Sequence, residues 1–281
     1  MPVIEVCGLT KRFGQVLAVD RLSFEVEPGT VTGFLGSNGA GKTTTLRMLL
    51  GLIRPDAGTA TINGRPYRDL EDPLHQVGAV LEASSFHPGR TARNHLRIQA
   101  MVGQADPSRI DDVLGLVELD GAADRRVRGF SLGMRQRLGL ATALLTDPDL
   151  LILDEPANGL DPEGVRWLRD LLRGLAAEGS TVLVSSHILA EVAQTVDSVV
   201  ILDRGHLVTQ SSLAELTAGG TLDLEEVFLT LTSGSAGRSN RRGTNSAKLN
   251  SAISPTRSSW KFFPSFGWPL KNAPCACPSA A

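Results

Sequence analysis

The stretch Gly36-Ser37-Asn38-Gly39-Ala40-Gly41-Lys42-Thr43-Thr44 carries the residue types and spacing that phosphate chemistry needs. It fits the pattern G-x-x-x-x-G-K-[ST]. An apolar, β-favouring segment, Val31 to Leu35, runs into it, and a helical pattern follows from Thr45 to Leu52, with Leu46, Leu49 and Leu50 on one face. Strand, glycine loop and helix form the context that gives such a match meaning. The glycines let the backbone curl until several N–H groups converge on phosphate oxygens, and the helix start adds unpaired N–H groups at a positive dipole end. Lys42 is expected to reach the β- and γ-phosphates as a point charge, and the Thr43 hydroxyl to ligate Mg²⁺. A plain glycine turn would not need this lysine and hydroxyl together. The stretch predicts a nucleotide site.

A second grouping lies downstream. Asp149-Leu150-Leu151-Ile152-Leu153-Asp154-Glu155-Pro156 reads as a buried strand ending in two carboxylates. A buried parallel strand delivers its last residue to the carboxyl edge of the sheet, where the phosphate loop also lies. Asp154 is therefore placed to hold Mg²⁺ through water, and Glu155 to orient and deprotonate an attacking water. An acidic pair capping the next helix would look the same locally; the phosphate loop upstream favours chemistry.

Elements to position these residues follow from hydrophobic periodicity. Val3–Val6 and Leu22–Val26 alternate as half-buried strands do, with Lys11-Arg12-Phe13-Gly14-Gln15 between them. Pro55-Asp56-Ala57-Gly58 reads as a turn, Thr59–Ile62 as a short strand, Asn63-Gly64 as a type I′ hairpin signal and Val77–Leu81 as another strand. Helical patterns follow over Ala92–Val102, Ile110–Leu119, with Asp111 and Asp112 in its first turn, and Leu138–Leu145. Then strand Leu150–Leu153, helix Pro162–Ala176, strand Thr181–Ser185, helix Ile188–Thr195 and strand Ser198–Leu202 alternate. Such alternation gives an α/β fold with a mostly parallel sheet, here with an inserted helical subdomain at about 83–148.

Composition narrows the class. The 281 residues are 42% hydrophobic, enough for a substantial core. No apolar run approaches the ~18 residues of a membrane span, and the N-terminus lacks a signal-peptide pattern. Cys7, Cys275 and Cys277 are too few for a disulfide framework or zinc site, so a reduced, cytoplasmic chain is expected. The net charge of −2 conceals an asymmetry: residues 1–226 hold 21 basic and 30 acidic side chains, a net −9, whereas residues 227–281 hold seven basic and none acidic. The acidic body argues against a general nucleic-acid binder.

With Phe130-Ser131-Leu132-Gly133-Met134-Arg135-Gln136-Arg137 added, the chain resembles the ATP-binding subunits of ABC transporters over residues 3 to about 215. The segment is similar to the family signature L-S-G-G-Q: Ser131 and Gly133 match, while Leu132 and Met134 depart. Its wording, Ser-x-Gly-Met-Arg-Gln-Arg, is similar to the branch serving ABC-2 type antibiotic and drug exporters. The resemblance implies a P-loop NTPase core with an N-terminal antiparallel β subdomain and the inserted helical subdomain. It implies a dimer, taken as a homodimer, sandwiching ATP and Mg²⁺, with Ser131 and Gly133 meeting the γ-phosphate held by the other subunit. By the same resemblance Gly159-Leu160-Asp161 is the loop at the dimer interface, with Asp161 toward the nucleotide. His187 is the switch histidine at the γ-phosphate, and Phe13 is the aromatic that stacks on adenine. Ser37 stands where the family usually has Pro. Glu82 stands where the family usually has a glutamine that contacts Mg²⁺; its carboxylate also suits a hard cation. His75, His87, His95 and His206 have no ligand-like spacing and read as ordinary surface or loop residues.

The implied function is ATP hydrolysis coupled to export through a separate membrane permease, with the chain peripheral to the inner membrane face and no specific nucleic acid. Residues Glu82 to Arg93 and the neighbouring helical block, with Phe86 as an apolar anchor or a core residue, are the expected contact. Rival readings are a soluble family ATPase acting on ribosomes or DNA, which usually carries two cassettes or a long coiled coil, and a non-hydrolysing regulator, disfavoured by Glu155 and His187. Residues 216–232 suggest a short helical extension, helical over Leu222–Thr230, and 233–281 a basic tail whose composition predicts disorder. The tail's Trp260, Phe262, Phe263, Phe266 and Trp268 also suit an anionic membrane face or nucleic acid.

Overall fold

The computed structural model describes residues 1–81, 86–217 and 223–235. In chain order the described elements are β1 (Ile4–Phe13), β2 (Val16–Val26), β3 (Val31–Gly36), α1 (Lys42–Leu49), β4 (Ala57–Ile62), α2 (Pro73–Gln76) and β5 (Val77–Val80). There follow α3 (Ala92–Gly103), α4 (Arg109–Leu116), α5 (Leu132–Leu144), β6 (Leu150–Asp154), α6 (Pro162–Ala177), β7 (Thr181–Ser186) and α7 (Leu189–Val192). β8 (Ser198–Asp203), β9 (His206–Ser212), α8 (Leu213–Leu216) and α9 (Leu224–Ser235) complete the series.

Among the described residues, β2, β1 and β4 form an antiparallel sheet in that order, and a six-stranded sheet runs β5-β6-β7-β3-β8-β9. Its first five strands pair in parallel, and β9 adds antiparallel to β8. The β6 run is apolar without alternation because both faces are covered: Leu151 and Leu153 face one core, Leu150 and Ile152 the other. Helices α3, α4 and α5 form the inserted block, whose apolar residues continue the first core. Residues 1–232 form one compact unit; of the second, 233–281, only the end of α9 is described. Among the described residues no helix is long and apolar enough to cross a membrane.

Several boundaries differ from the periodic pattern, each for a local reason. β1 extends through Lys11–Phe13 to a hairpin at Gly14-Gln15, because bulges between Val6 and Arg12, with Gly8 at φ 58°, break the alternation. Gly58 lies inside β4 at φ 80°, where any Cβ would strike the backbone of Gly8, so this glycine serves close approach and not a turn. Asn63 and Gly64 do form the type I′ turn, at φ 50° and 76°, closed by Arg65 N–H donating to the Ile62 carbonyl at 3.0 Å. α1 begins at Lys42, three residues earlier than the apolar pattern, and ends before Leu52. α5 begins at Leu132, capped by the Ser131 hydroxyl, which accepts from Met134 N–H at 3.2 Å.

Of the histidines read as ordinary surface or loop positions, His206 is exposed and His95 is the one the structure corrects. His206 opens β9, a strand missed because it is a polar edge strand; its Gln210 donates to the Glu25 carbonyl of β2 at 2.7 Å, tying the two sheets. His95 is buried in α3, its ring edge-on to Phe86 at 5.0 Å between centroids. Its Nε2 lies 3.1 Å from the Thr142 hydroxyl, whose hydrogen goes to the Leu138 carbonyl. The neutral Nε2–H form of the ring therefore donates to Thr142. Burial, then the Arg90 charge, holds the His95 pKa below its ordinary value.

Candidate active site

The carboxyl ends of β3, β6 and β7 meet at one sheet edge, with Asp154 in register with Ser185 and Leu35 with Ser186. The phosphate loop leaves β3 there. Gly41 has φ 102°, and a Cβ on it would lie 2.6 Å from the Ala18 carbonyl, so only glycine fits the entry to α1. Gly36 is equally constrained, its Cβ position being 2.7 Å from the Leu202 carbonyl. Ser37, Asn38 and Gly39 are exposed at the tip, while Ala40 is buried and its N–H donates to the Ser37 carbonyl at 3.0 Å. Thr45 donates to the Gly41 carbonyl at 2.9 Å, pinning the first turn, which carries Lys42, Thr43 and Thr44.

Five proposed site residues converge. Lys42, 6% exposed, donates to the Gly36 carbonyl at 2.6 Å and lies 3.2 Å from Glu155 Oε1. Glu155 Oε2 lies 2.7 Å from His187 Nδ1. Thr43 donates its hydroxyl hydrogen to Asp154 Oδ2 at 2.6 Å, and Ser185 donates to Asp154 Oδ1. Both Glu155 oxygens thus face cationic or N–H partners, and both Asp154 oxygens accept from hydroxyls. Thr43 has spent its hydrogen on Asp154, so its lone pairs remain for a hard cation. The oxygen donors Thr43 and Asp154 suit Mg²⁺. Among the described residues no cluster of three or more His, Cys, Asp or Glu side chains could hold a metal ion.

The other candidates fall elsewhere. Ser131 is exposed at the start of α5 with half-buried Gly133, which packs on the Gly159 carbonyl. Asp161 caps α6, accepting from Gly164 N–H at 2.8 Å. Phe13, 48% exposed, sits at the β1–β2 hairpin with the Lys11 ammonium 5.5 Å from its ring centroid. Lys11 also pairs with Asp56 at 2.9 Å, and this bond, then the Arg12 N–H, lowers the Asp56 pKa. Glu82 lies outside the described residues.

Sequence reasoning missed two residues. Ser185 links Asp154 to Glu155, accepting from the Glu155 N–H at 2.9 Å; the signal was a serine at the end of a buried strand. Gln136, 4% exposed, donates to the Glu155 carbonyl at 3.1 Å. Its signal was a polar residue on the same helical face as Leu140 and Ala143.

These features define a P-loop nucleotide site on an α/β core. The ABC transporter family profile matches residues 19–158. The bacitracin transport ATP-binding protein BcrA of Bacillus licheniformis is 46% identical over 211 residues, covering 74% of this chain and 69% of the relative. The Nod factor export ATP-binding protein I of Burkholderia lata is 40% identical over 219 residues, 75% of this chain and 72% of that one. A solved ATP-binding subunit of an ABC transporter superposes with TM-score 0.74 at 29% identity, covering 82% of this chain and 99% of that structure. A dimeric ATP-binding cassette in a post-hydrolysis state with ADP and Pi shares the fold, at TM-score 0.69 and 22% identity over 75% of this chain and 98% of that one. The chain belongs to the ABC transporter family, as an ATP-binding, ATP-hydrolysing subunit.

Proposed function

We propose that two copies of this chain sandwich two ATP molecules and drive export of a substrate, an antibiotic or drug, through a separate membrane permease. The convergence of Lys42, Thr43, Asp154, Glu155 and His187 carries this reading. Lys42 leaves Glu155 for the β- and γ-phosphates. Freed of Lys42, the Glu155 carboxylate takes a proton from water as that water attacks the γ-phosphorus and the bond to ADP breaks. His187 holds the γ-phosphate and the second Glu155 oxygen. Thr43 and Asp154 would hold Mg²⁺, which when bound neutralises charge on the phosphates. Ser131 and Gly133 meet the nucleotide of the other copy at the N-terminus of α5, Asp161 lies at the interface, and Phe13 stacks on adenine. Glu82 retains its proposed role at the metal.

The bacitracin and Nod factor relatives support export, with the chain held at the cytoplasmic membrane face through its permease. Within the expected docking surface, the exposed face of α3 in the helical block suits the permease better than Phe86 does. Phe86 is half-buried against His95 and the core, whereas Ile98, Met101 and Val102 share one face of α3 and are exposed, Met101 by 81%. The domain division keeps residues 1–215 as the ATPase, about 83–148 as its helical insert, 216–232 as a helical extension and 233–281 as a tail. Phosphate release from ATP by the purified chain tests the activity. Lys42→Ala should weaken ATP binding at least tenfold, by about 1.4 kcal/mol or more, in an equilibrium titration. Unchanged affinity would sink the phosphate-loop assignment.

A further inference from the structure

Glu155 stands in a backbone conformation that its surroundings must hold. Its φ is 50°, in the left-handed region that residues with a Cβ disfavour. That turn at the end of β6 aims the side chain at Lys42 and His187. Ser185 grips one side of the residue, accepting from its N–H at 2.9 Å. On the other side the carbonyl oxygen accepts from Asn158 N–H at 3.2 Å and from Gln136 Nε2 at 3.1 Å. Asn158 and Ser185 are near neighbours of the catalytic strand in sequence or in the sheet. Gln136 comes from α5, in the inserted helical block, and its amide is buried where an unpartnered polar group would be costly.

We propose that Gln136 is a positioning residue for ATP hydrolysis. Its side-chain amide holds the Glu155 peptide so that the carboxylate meets the attacking water, and through this bond the inserted helical block sets the geometry of the base. The proposal rests on the reading of Glu155 as the base. Without the amide donor, the Glu155 carbonyl loses its tie to α5, and the strained peptide relaxes. A displacement of about 1 Å at a reacting group is enough for a 10²-fold loss of rate. Lys42 and the phosphate loop do not touch Gln136, so nucleotide affinity is spared.

The test uses the full chain with Gln136→Met, which keeps length and apolar bulk but removes the donor. Single-turnover phosphate release should fall about 10–100-fold, while the affinity for a fluorescent ATP analogue and the thermal midpoint stay near wild type. Unchanged turnover overturns the proposal, and so does a parallel loss of turnover, affinity and thermal midpoint. In the background of Glu155→Gln, Gln136→Met should cost little more, since both act through one group; multiplied losses overturn it. Near-normal turnover of Glu155→Gln alone overturns the base assignment and this proposal together. An inactive Glu155→Gln beside an active Gln136→Met overturns this proposal only. Should Gln136→Met fail to fold, Gln136→Glu provides a same-shape variant. Its carboxylate cannot donate, so its turnover relative to wild type should be low at neutral pH and recover as acid protonates it. A ratio that does not change with pH overturns the proposal.

Discussion

Replacing Glu155 by glutamine separates the two contacts its carboxylate makes. Oε1 lies 3.2 Å from the Lys42 ammonium and Oε2 2.7 Å from His187 Nδ1. Glu155→Gln keeps the shape and removes the charge and the proton acceptor. A positioned base contributes about 10²–10⁴-fold, so the barrier should rise by roughly 3–5 kcal/mol. Binding should move the other way or not at all. Lys42, 6% exposed, is shared between the Gly36 carbonyl and Glu155, and phosphate must displace it from the carboxylate. A neutral glutamine holds Lys42 less strongly, and ATP affinity should stay level or tighten by up to about tenfold, some 1.4 kcal/mol. Phosphate release under single-turnover conditions reads the first effect, equilibrium titration reads the second, and gel filtration with ATP should show the dimer accumulating. Near-normal turnover would remove Glu155 from the role. Affinity weakened tenfold or more would refute the competition between Glu155 and phosphate for Lys42.

Three further outcomes are expected. Ser131→Arg and Glu155→Gln chains, each inactive alone, should recover part of the activity when mixed, because one site then has both an intact base and an intact signature; proven mixed dimers without recovery would count against sites built in trans. Met101→Asp should release the protein from membranes that carry its permease while basal hydrolysis persists. Phe86→Asp should instead lower stability by about 3 kcal/mol, seen as a fall of roughly 6–12 °C in Tm. The opposite pairing of effects would return the docking surface to Phe86. His95 should give acid-sensitive stability. Its folded pKa is lowered below 6.5 by burial and then by Arg90, so below that pH the unfolded chain binds the proton more readily. The stability from neutral His95 is complete above pH 6.5 and is lost as pH falls toward the folded value, at no more than about 1.4 kcal/mol per pH unit. Urea unfolding across this range should show the slope in wild type and a flatter profile in His95→Gln; equal slopes would remove His95 as the cause.

Local patterns determined much of this protein. The phosphate loop was legible because Gly36, Gly41, Lys42 and Thr43 need one fixed spacing, and the apolar run Leu150–Leu153 announced a strand covered on both faces. The α/β alternation implied the parallel sheet with its helical insert, and the family fold agrees. Where backbone conformation departs from regular periodicity, the sequence was less informative. Gly8 and the bulges of β1 hid half a strand, Gly58 looked like a turn, and β9 showed no apolar alternation because its polar residues lie at a sheet edge. Phe86 and His95 gave no sign from their own neighbours that they would face each other in the core. Tertiary structure alone decided how the site is held. Ser185 reaches Asp154 through strand register, and Gln136 reaches Glu155 because α5 packs on β5, the neighbour of β6 in the sheet. Such contacts join residues far apart in the chain, and a hydrogen bond between them depends on a meeting in space that no local spacing encodes.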